Sequence, residues 1–288
     1  MLAKLRAYYQ LCKPNVVYTM LITALVGSLL AANSFSCYGL IVLSQIGIGL
    51  CAASAAAINQ IIDQKADANM QRTLNRPLPT QTVTNTEAIV FAATLGIVGF
   101  GILYIFVNPI TAYLTFASLI GYAFIYTIFL KRATPQNIVI GGLAGAAPPL
   151  LGWTAITGSI DAFPLLLVLI IFVWTPPHFW ALAIYRKDDY AGEGIPMLPV
   201  THGIKFTKLQ ILLYSILLLI VSILPYVVML SGLIYLMFAL LTGLIFVVLS
   251  FRFYIAKNES LAMPIFSYSI YYIFIIFIGF LLDKYFYI

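Results

Sequence analysis

Apolar residues in this chain are concentrated in nine long stretches that are separated by shorter polar segments. The runs are continuous rather than alternating, which excludes the strands of a membrane-spanning barrel. A helix needs about 20 apolar residues to cross the hydrocarbon core of a bilayer. The pattern therefore predicts an all-α polytopic membrane protein that forms a single domain of residues 1–288. The nine helices are expected near residues 16–32, 39–58, 87–106, 110–130, 138–157, 163–184, 208–230, 232–251 and 265–283.

The overall composition supports a membrane protein, since the 288 residues are 62% hydrophobic and only 8% charged. The net charge of +6 could indicate a nucleic-acid partner. However, the basic residues sort to one side of the predicted helices. All of them except Lys284 precede helix 1 or follow an even-numbered helix, at Lys4, Arg6, Lys13, Lys65, Arg72, Arg76, Lys131, Arg132, Arg186, Lys187, Lys205, Lys208, Arg252 and Lys257. Because cytoplasmic loops are enriched in Lys and Arg, we expect a cytoplasmic N-terminus, an outside C-terminus and no nucleic-acid partner.

A row of polar residues follows the second apolar stretch. Asn59, Asp63 and Asp67 recur every four residues, so a helix that continues through them would carry all three on one face. Carboxylate and amide oxygens are ligands that Mg²⁺ prefers, and Arg72 and Arg76 follow with guanidinium groups that match phosphate oxygens. The stretch predicts a site for Mg²⁺ and a diphosphate. The alternative is a solvated loop that only marks the cytoplasmic face.

A second acidic and basic cluster follows the sixth apolar stretch. It contains Asp188, Asp189 and Glu193 beside Lys187, and it lies on the same side of the membrane as the first cluster because both follow even-numbered helices. Lys131, after helix 4, is on this side as well. Lys131 and Lys187 are therefore further candidates for diphosphate binding, although the spacing at the end of helix 4 favours a basic membrane flank for Lys131. Lys13, before helix 1, is expected to be a membrane anchor, and a role facing the diphosphate is the less favoured alternative.

The sixth apolar stretch contains a proline pair and a histidine. Pro176 and Pro177 are expected to break or kink the helix, since proline lacks an N–H donor and clashes with the preceding turn. His178 follows directly. An ionisable residue inside a membrane is a functional candidate, whereas the simpler alternative is a structural histidine that forms a hydrogen bond with a freed carbonyl.

These motifs together resemble a known family. The pattern N-x-x-x-D-x-x-x-D followed by M-x-R-T-x-x-R-P resembles the first aspartate-rich motif of the UbiA superfamily of intramembrane prenyltransferases. The runs N-I-V-I-G-G-x-A-G-A-x-P-P, W-T-P-P-H-F-W-A-L-A and D-Y-x-x-x-x-I-P-M-L-P-V are similar to the branch that farnesylates protohaem IX. The resemblance covers nearly the whole chain in order.

The resemblance implies a fold of nine helices around a central cavity, in which the two acidic clusters hold Mg²⁺. Asp63, Asp67 and Asp189 would be catalytic, with Asn59 and Asp188 as further metal ligands. The second motif departs from the superfamily pattern D-x-x-x-D, because Glu193 stands four residues after Asp189.

The implied reaction starts from farnesyl diphosphate, which ionises with the help of Mg²⁺ to an allylic cation. A vinyl group of haem b attacks this cation, and water completes a hydroxyethylfarnesyl group, giving haem O. His178 would ligate the haem iron, and Trp174 and Trp180 would flank the macrocycle. The implied location is a bacterial inner membrane, with membrane lipid around the protein, the active-site loops in the cytoplasm, and haem A synthase or a terminal oxidase assembly factor as a partner.

Two other functions remain open from the sequence. A sibling prenyltransferase that acts on a quinone precursor or chlorophyllide would share the aspartate motifs. A transporter would also carry intramembrane charges and broken helices, although its coupling residues would lie nearer the midplane than these carboxylates.

Overall fold

The computed structural model describes residues 2–34, 37–70 and 73–286. Within these ranges the chain is helical and contains no β-strand, as predicted. Nine helical segments of the described chain are long and apolar enough to cross a membrane. They are Pro14–Ala31, Tyr38–Asp67, Asn85–Val107, Pro109–Ala133, Asn137–Thr157, Ala162–Tyr185, Gly203–Val227, Leu233–Ile255 and Ala262–Phe286. The nine predicted helices are confirmed, with shifted ends.

The helices are numbered in chain order and include short segments outside the nine spans. They are α1 (Leu2–Leu11), α2 (Pro14–Ala31), α3 (Tyr38–Asp67), α4 (Asn85–Ile102), α5 (Pro109–Ile120), α6 (Lys131–Ala133), α7 (Asn137–Ala146), α8 (Pro148–Thr157), α9 (Ala162–Tyr185), α10 (Lys187–Gly192), α11 (Leu198–Thr201), α12 (Gly203–Val227), α13 (Leu233–Ile255) and α14 (Ala262–Phe286). Two π-helical segments, Leu103–Val107 and Gly121–Leu130, extend α4 and α5.

Two helices differ from the sequence prediction in ways that matter for the site. Helix α3 continues well past residue 58 and ends only at Asp67, so the polar row is helical. Pro176 and Pro177 were expected to break or kink α9; a break is wrong, because α9 is continuous from Ala162 to Tyr185, and a kink stays a prediction. Membrane helices tolerate proline where the surrounding protein supports the helix, and α7, α12 and α14 all pack against α9.

The described residues divide into two compact units. The first consists of Met1–Leu130 with Ala147–Ile160, and the second of Lys131–Ala146 with Asp161–Ile288. The expectation of one domain over residues 1–288 stays a prediction.

In the first unit, helices α2 and α8 approach each other closely at two glycines. A Cβ atom on Gly27 would lie 2.1 Å from the carbonyl oxygen of Pro149, and one on Gly152 would lie 1.8 Å from that of Ala24. The hydroxyl of Ser28 donates a hydrogen bond to the carbonyl of Gly152 at 3.0 Å. Small residues on both helices therefore allow α2 and α8 to pack closely.

In the second unit, polar side chains tie the last three helices together. The carboxylate of Asp283 in α14 accepts hydrogen bonds from the backbone N–H groups of Gly232 and Tyr235, where α13 begins. Asp283 is buried, and it satisfies N–H groups that a helix cannot pair internally. At the other end of α13, the Lys208 ammonium donates to the carbonyls of Ala256 and Asn258 at 3.0 and 2.8 Å.

Candidate functional site

The polar row on α3 is buried in the first unit. Asn59, Asp63 and Asp67 are only 4%, 5% and 5% exposed. They lie one turn apart on the same helix, so they share a face as the spacing predicted. Two carboxylates at such depth are costly unless positive charge or hydrogen bonds compensate them.

Hydrogen bonds connect Asn59 to three neighbours. Its amide nitrogen donates to the Asp63 carboxylate and to the Thr127 hydroxyl, both at 3.0 Å. Its amide oxygen accepts a hydrogen bond from the ammonium of Lys13. Asn59 therefore links the basic segment before α2, the row on α3 and the π-helical segment after α5.

The π-helical segment explains how Thr127 reaches Asn59. The Thr127 hydroxyl also donates to the carbonyl of Tyr122, five residues earlier, at 2.9 Å. In the same segment, the rings of Tyr122 and Tyr126 stack with centroids 5.6 Å apart. Short π-helical insertions are frequent at functional sites because they re-aim side chains.

The other end of the row is paired with an arginine. Arg76 donates to the Asp67 carboxylate at 2.5 Å, and the Thr73 hydroxyl donates to the Asp67 carbonyl at 2.8 Å. Arg76 is partly exposed, whereas the Asp67 side chain is 7% exposed. The structure thus places Arg76 beside the row, while Arg72 lies outside the described residues.

The donor chemistry of the row fits a Mg²⁺–diphosphate site. No group of three or more His, Cys, Asp or Glu side chains in the described ranges forms a complete metal site. Mg²⁺, however, is commonly bound through one or two carboxylates together with substrate phosphates. Asp63 and Asp67 supply that number of carboxylates, and Lys13 and Arg76 supply positive charge for the anion.

The second acidic cluster belongs to the second unit and is more exposed than the first. Asp189 pairs with Arg186 at 3.5 Å, with both side chains more than 30% exposed. Asp188 is exposed, and Lys187 and Glu193 are partly buried. A solvated pair of this kind contributes little to stability, so these charges remain available for a ligand.

Two further predicted residues are placed by local contacts in the second unit. The backbone carbonyl of Lys131 accepts a hydrogen bond from the Asn137 amide at 3.0 Å. Trp180 is 1% exposed and meets Tyr214 edge-on, with ring centroids 5.2 Å apart. Its indole N–H finds no acceptor among the described residues.

His178 lies between two aromatic rings. Trp174 stacks on one side at 4.3 Å between centroids and Phe266 on the other at 4.5 Å. The Nδ1 atom of His178 forms a hydrogen bond of 2.6 Å with the Ser269 hydroxyl, and the indole N–H of Trp174 donates to the Ser269 carbonyl at 2.7 Å. The structure therefore brings Trp174 to the histidine but not Trp180, because residues two apart on a helix point to different sides.

Sequence reasoning missed two residues of these networks, Thr127 and Ser269. For Lys13 it favours a membrane anchor over a contact with the diphosphate. The only signal for Lys13 was its place beside Pro14 at the start of helix 1. Thr127 depends on the π-helical register, and Ser269 is 91 residues from His178, so no local pattern indicates either contact.

The comparisons with known proteins agree on one family. Residues 20–280 match the model of the UbiA prenyltransferase family. A protein named protoheme IX farnesyltransferase from Hahella chejuensis is 55% identical over 280 residues, which are 97% of this chain and 94% of that protein. The protein of the same name from Legionella pneumophila strain Paris is 56% identical over 281 residues, or 98% and 96% of the two chains.

Solved structures show the same fold at lower identity. A structure of digeranylgeranylglyceryl phosphate synthase superposes with a TM-score of 0.81 at 21% identity, covering 97% of this chain and 98% of that one. A UbiA homolog from Archaeoglobus fulgidus bound to DMAPP and Mg²⁺ gives a TM-score of 0.69 at 16% identity, covering 96% and 99%.

Proposed function

Because this chain belongs to the UbiA prenyltransferase family, we propose that it transfers the farnesyl group of farnesyl diphosphate to a vinyl group of protohaem IX, or haem b. The chain is a multi-pass membrane protein and a prenyltransferase. Relatives named protoheme IX farnesyltransferase match nearly its full length, which supports haem as the acceptor. The structural observation that carries the proposal is the buried pair Asp63 and Asp67, which Lys13 and Arg76 flank with positive charge.

Asp63 and Asp67 would hold Mg²⁺ in the first unit, with the Asn59 amide oxygen as a further ligand. Asp188 and Asp189 of the second unit are proposed to hold a second ion. When bound, Mg²⁺ supplies positive charge that stabilises the departing diphosphate. The solved homolog with DMAPP and Mg²⁺ supports this combination of ligands in the family.

The bond that breaks joins C1 of the farnesyl group to a diphosphate oxygen, and its electron pair leaves with the diphosphate. Arg76 would bind the phosphate oxygens with its planar guanidinium fork, and Arg72 is proposed to do the same. Lys131 and Lys187 are further proposed contacts of the diphosphate. Positive charges fixed before the reaction stabilise negative charge as it develops on the leaving group.

The farnesyl cation is then attacked by the terminal carbon of the haem vinyl group, which forms the new carbon–carbon bond. The positive charge moves to the vinyl carbon beside the porphyrin ring. Water adds its oxygen there and loses a proton, leaving a hydroxyethylfarnesyl group. The apolar helices that surround such a site keep bulk water from the farnesyl cation until the bond has formed. The chain needs no covalent nucleophile for these steps.

His178 is proposed to ligate the haem iron through the ring nitrogen that does not contact Ser269. Histidine ligands are commonly oriented by a hydrogen bond at the other ring nitrogen, and Ser269 supplies that bond. Trp174 covers one face of the imidazole and so supports the ligand rather than the macrocycle. The proposed role of Trp180 beside the macrocycle would require its buried ring to leave Tyr214.

The location of the protein and the competing functions complete the proposal. We propose a bacterial inner membrane with a cytoplasmic N-terminus, on the asymmetry of the basic residues. Membership of a prenyltransferase family decides against the transporter hypothesis. A sibling enzyme for a quinone precursor or chlorophyllide remains the competing function, and partnership with haem A synthase or an oxidase assembly factor stays a prediction.

The acceptor and the water step can be tested together on purified protein in lipid nanodiscs. The protein is given farnesyl diphosphate, haem b and Mg²⁺ in ¹⁸O-labelled water, and the extracted haem is analysed by mass spectrometry. We expect a product with one farnesyl group and one labelled oxygen, and none from Asp63→Asn. A farnesylated quinone precursor or chlorophyllide in parallel reactions, with haem unchanged, would contradict the proposal.

A further inference from the structure

The segment between α1 and α2 carries a cation that contacts the acidic row. The ammonium of Lys13 donates to the Asn59 amide oxygen, and the nitrogen of that amide donates to Asp63. Arg76 contacts Asp67 at the far end of the same row. The two carboxylates therefore lie between two basic side chains, one from each flank of the row.

The backbone of Lys13 is strained. Its φ of 48° and ψ of 61° place it in the left-handed region, which residues with a Cβ atom seldom adopt. The next residue is Pro14, and a residue before proline favours an extended backbone. Strained residues persist only where the surroundings hold them in place, and they cluster at functional sites.

A buried glutamine on α3 holds the chain immediately before Lys13. The amide nitrogen of Gln60 donates to the carbonyls of Gln10 and Leu11 at 3.0 and 3.1 Å, at the end of α1. Gln60 is 2% exposed, and Leu11 is fully buried in a cluster that includes Ala57 of α3. Two consecutive residues of α3 thus hold this turn. The Gln60 side chain binds backbone carbonyls of the turn, and the Asn59 side chain binds the Lys13 ammonium.

We propose that Lys13 is a substrate-binding residue whose ammonium contacts the diphosphate of the prenyl donor, and that Gln60 is the positioning residue for it. This inference rests on the proposed function and adds a residue to its donor site. The charges support it, because the carboxylates and the two basic side chains balance one another. When a divalent cation and a prenyl diphosphate bind, the site has a small net negative charge. Removal of Lys13 makes this net charge more negative.

Replacement by glycine separates this role from a structural one. Glycine adopts the left-handed region without strain, which offsets the lost hydrogen bond to Asn59, so Lys13→Gly should change the thermal midpoint of the protein little. If Lys13 binds the diphosphate, the same variant should bind the donor at least about 10-fold more weakly, since hydrogen bonds to charged groups are worth that much in affinity. A purely structural Lys13 would give the opposite result, lower stability with normal donor affinity.

The experiment measures binding of an unreactive farnesyl thiodiphosphate by calorimetry, on the full chain in nanodiscs at fixed Mg²⁺. Lys13→Arg should retain most of the affinity, and Gln60→Ala should weaken it while haem binding is unchanged. Lys4→Gln is the matched control, because Lys4 is also on the basic N-terminal segment but pairs with exposed Glu87 at 2.5 Å. The hydrogen bond with Glu87 and the attraction of its charge raise the pKa of Lys4, so it remains a cation.

Asp63→Asn separates failure of this inference from failure of the proposed function. If Lys13→Gly binds the donor within twofold of the wild type while Asp63→Asn loses binding, Lys13 is only an anchor and the donor site stands. If both variants bind the donor normally, the row on α3 is not the donor site and both proposals are wrong.

Discussion

The packing of α2 on α8 gives the sharpest prediction of stability, and α2 is the helix that begins directly after Lys13. In Gly152→Ala, the added Cβ would lie 1.8 Å from the Ala24 carbonyl oxygen and 2.9 Å from the Ser28 nitrogen. Both neighbours are backbone atoms, so no side-chain rotation can relieve the contact. The two helices must therefore move apart, by roughly 1 Å or more, to reach an ordinary contact distance. Backbone shifts of this kind are what makes an overpacked core less stable.

The magnitude follows from three effects. Overpacking costs about 1–3 kcal/mol, and this contact belongs near the upper value because it involves backbone. Separation of the helices also weakens the hydrogen bond from Ser28 to Gly152, worth about 1 kcal/mol. The greater helix propensity of alanine offsets about 1 kcal/mol. We therefore expect Gly152→Ala to lower the free energy of unfolding by about 3 kcal/mol.

The assay is unfolding in mixed detergent micelles, monitored by circular dichroism. Gly101→Ala is the matched control, since a Cβ at Gly101 would meet no heavy atom of the described chain within 4 Å. This variant should be as stable as the wild type or slightly more so. Equal stability of Gly152→Ala and Gly101→Ala would refute the close approach of α2 and α8.

The other predictions concern the donor, the haem and the last helix. Arg76→Lys should raise the KM for farnesyl diphosphate several-fold, because an ammonium cannot bind two phosphate oxygens as a fork; unchanged kinetics would leave Arg76 only a partner of the row. His178→Ala should lower haem affinity and change the absorption spectrum of bound haem, whereas Ser269→Ala should shift the spectrum with a smaller loss of affinity. Normal spectra in both variants would reject iron ligation by His178. Asp283→Ala should destabilise the protein by about 1–3 kcal/mol through two unpaired N–H groups at α13, and retained stability in detergent unfolding would argue against that cap.

The fold could be predicted largely from hydrophobicity. Nine apolar stretches of spanning length leave few other solutions in a bilayer, since every backbone group must be paired within a helix. The four-residue spacing of the polar row indicated a shared face if the helix continued beyond its predicted end at residue 58, and α3 does continue to Asp67. These features depend on the local spacing of apolar and polar residues, so they can be recognised in a single sequence.

The contacts of the site depend on information that periodicity does not contain. Lys13 reaches Asn59 through a left-handed backbone conformation, which its residue type disfavours. Thr127 reaches the same amide because the segment after α5 winds as a π-helix. The proline pair in α9 was expected to break or kink the helix; α9 continues through it without a break, and neighbouring helices pack against it there. Each of these outcomes is decided by tertiary structure.

The central claim is that the row on α3 serves farnesyl transfer to haem, and the haem species of membranes test it most directly. Membranes from a strain that lacks its own haem-farnesylating activity would be extracted with and without this protein, and the haems separated by chromatography. We expect farnesylated haem only with the wild-type protein, and none with Asp63→Ala or Asp67→Ala at equal amounts of folded protein. Farnesylated haem in the presence of either variant at the wild-type level, or its absence with the wild-type protein, would contradict the account.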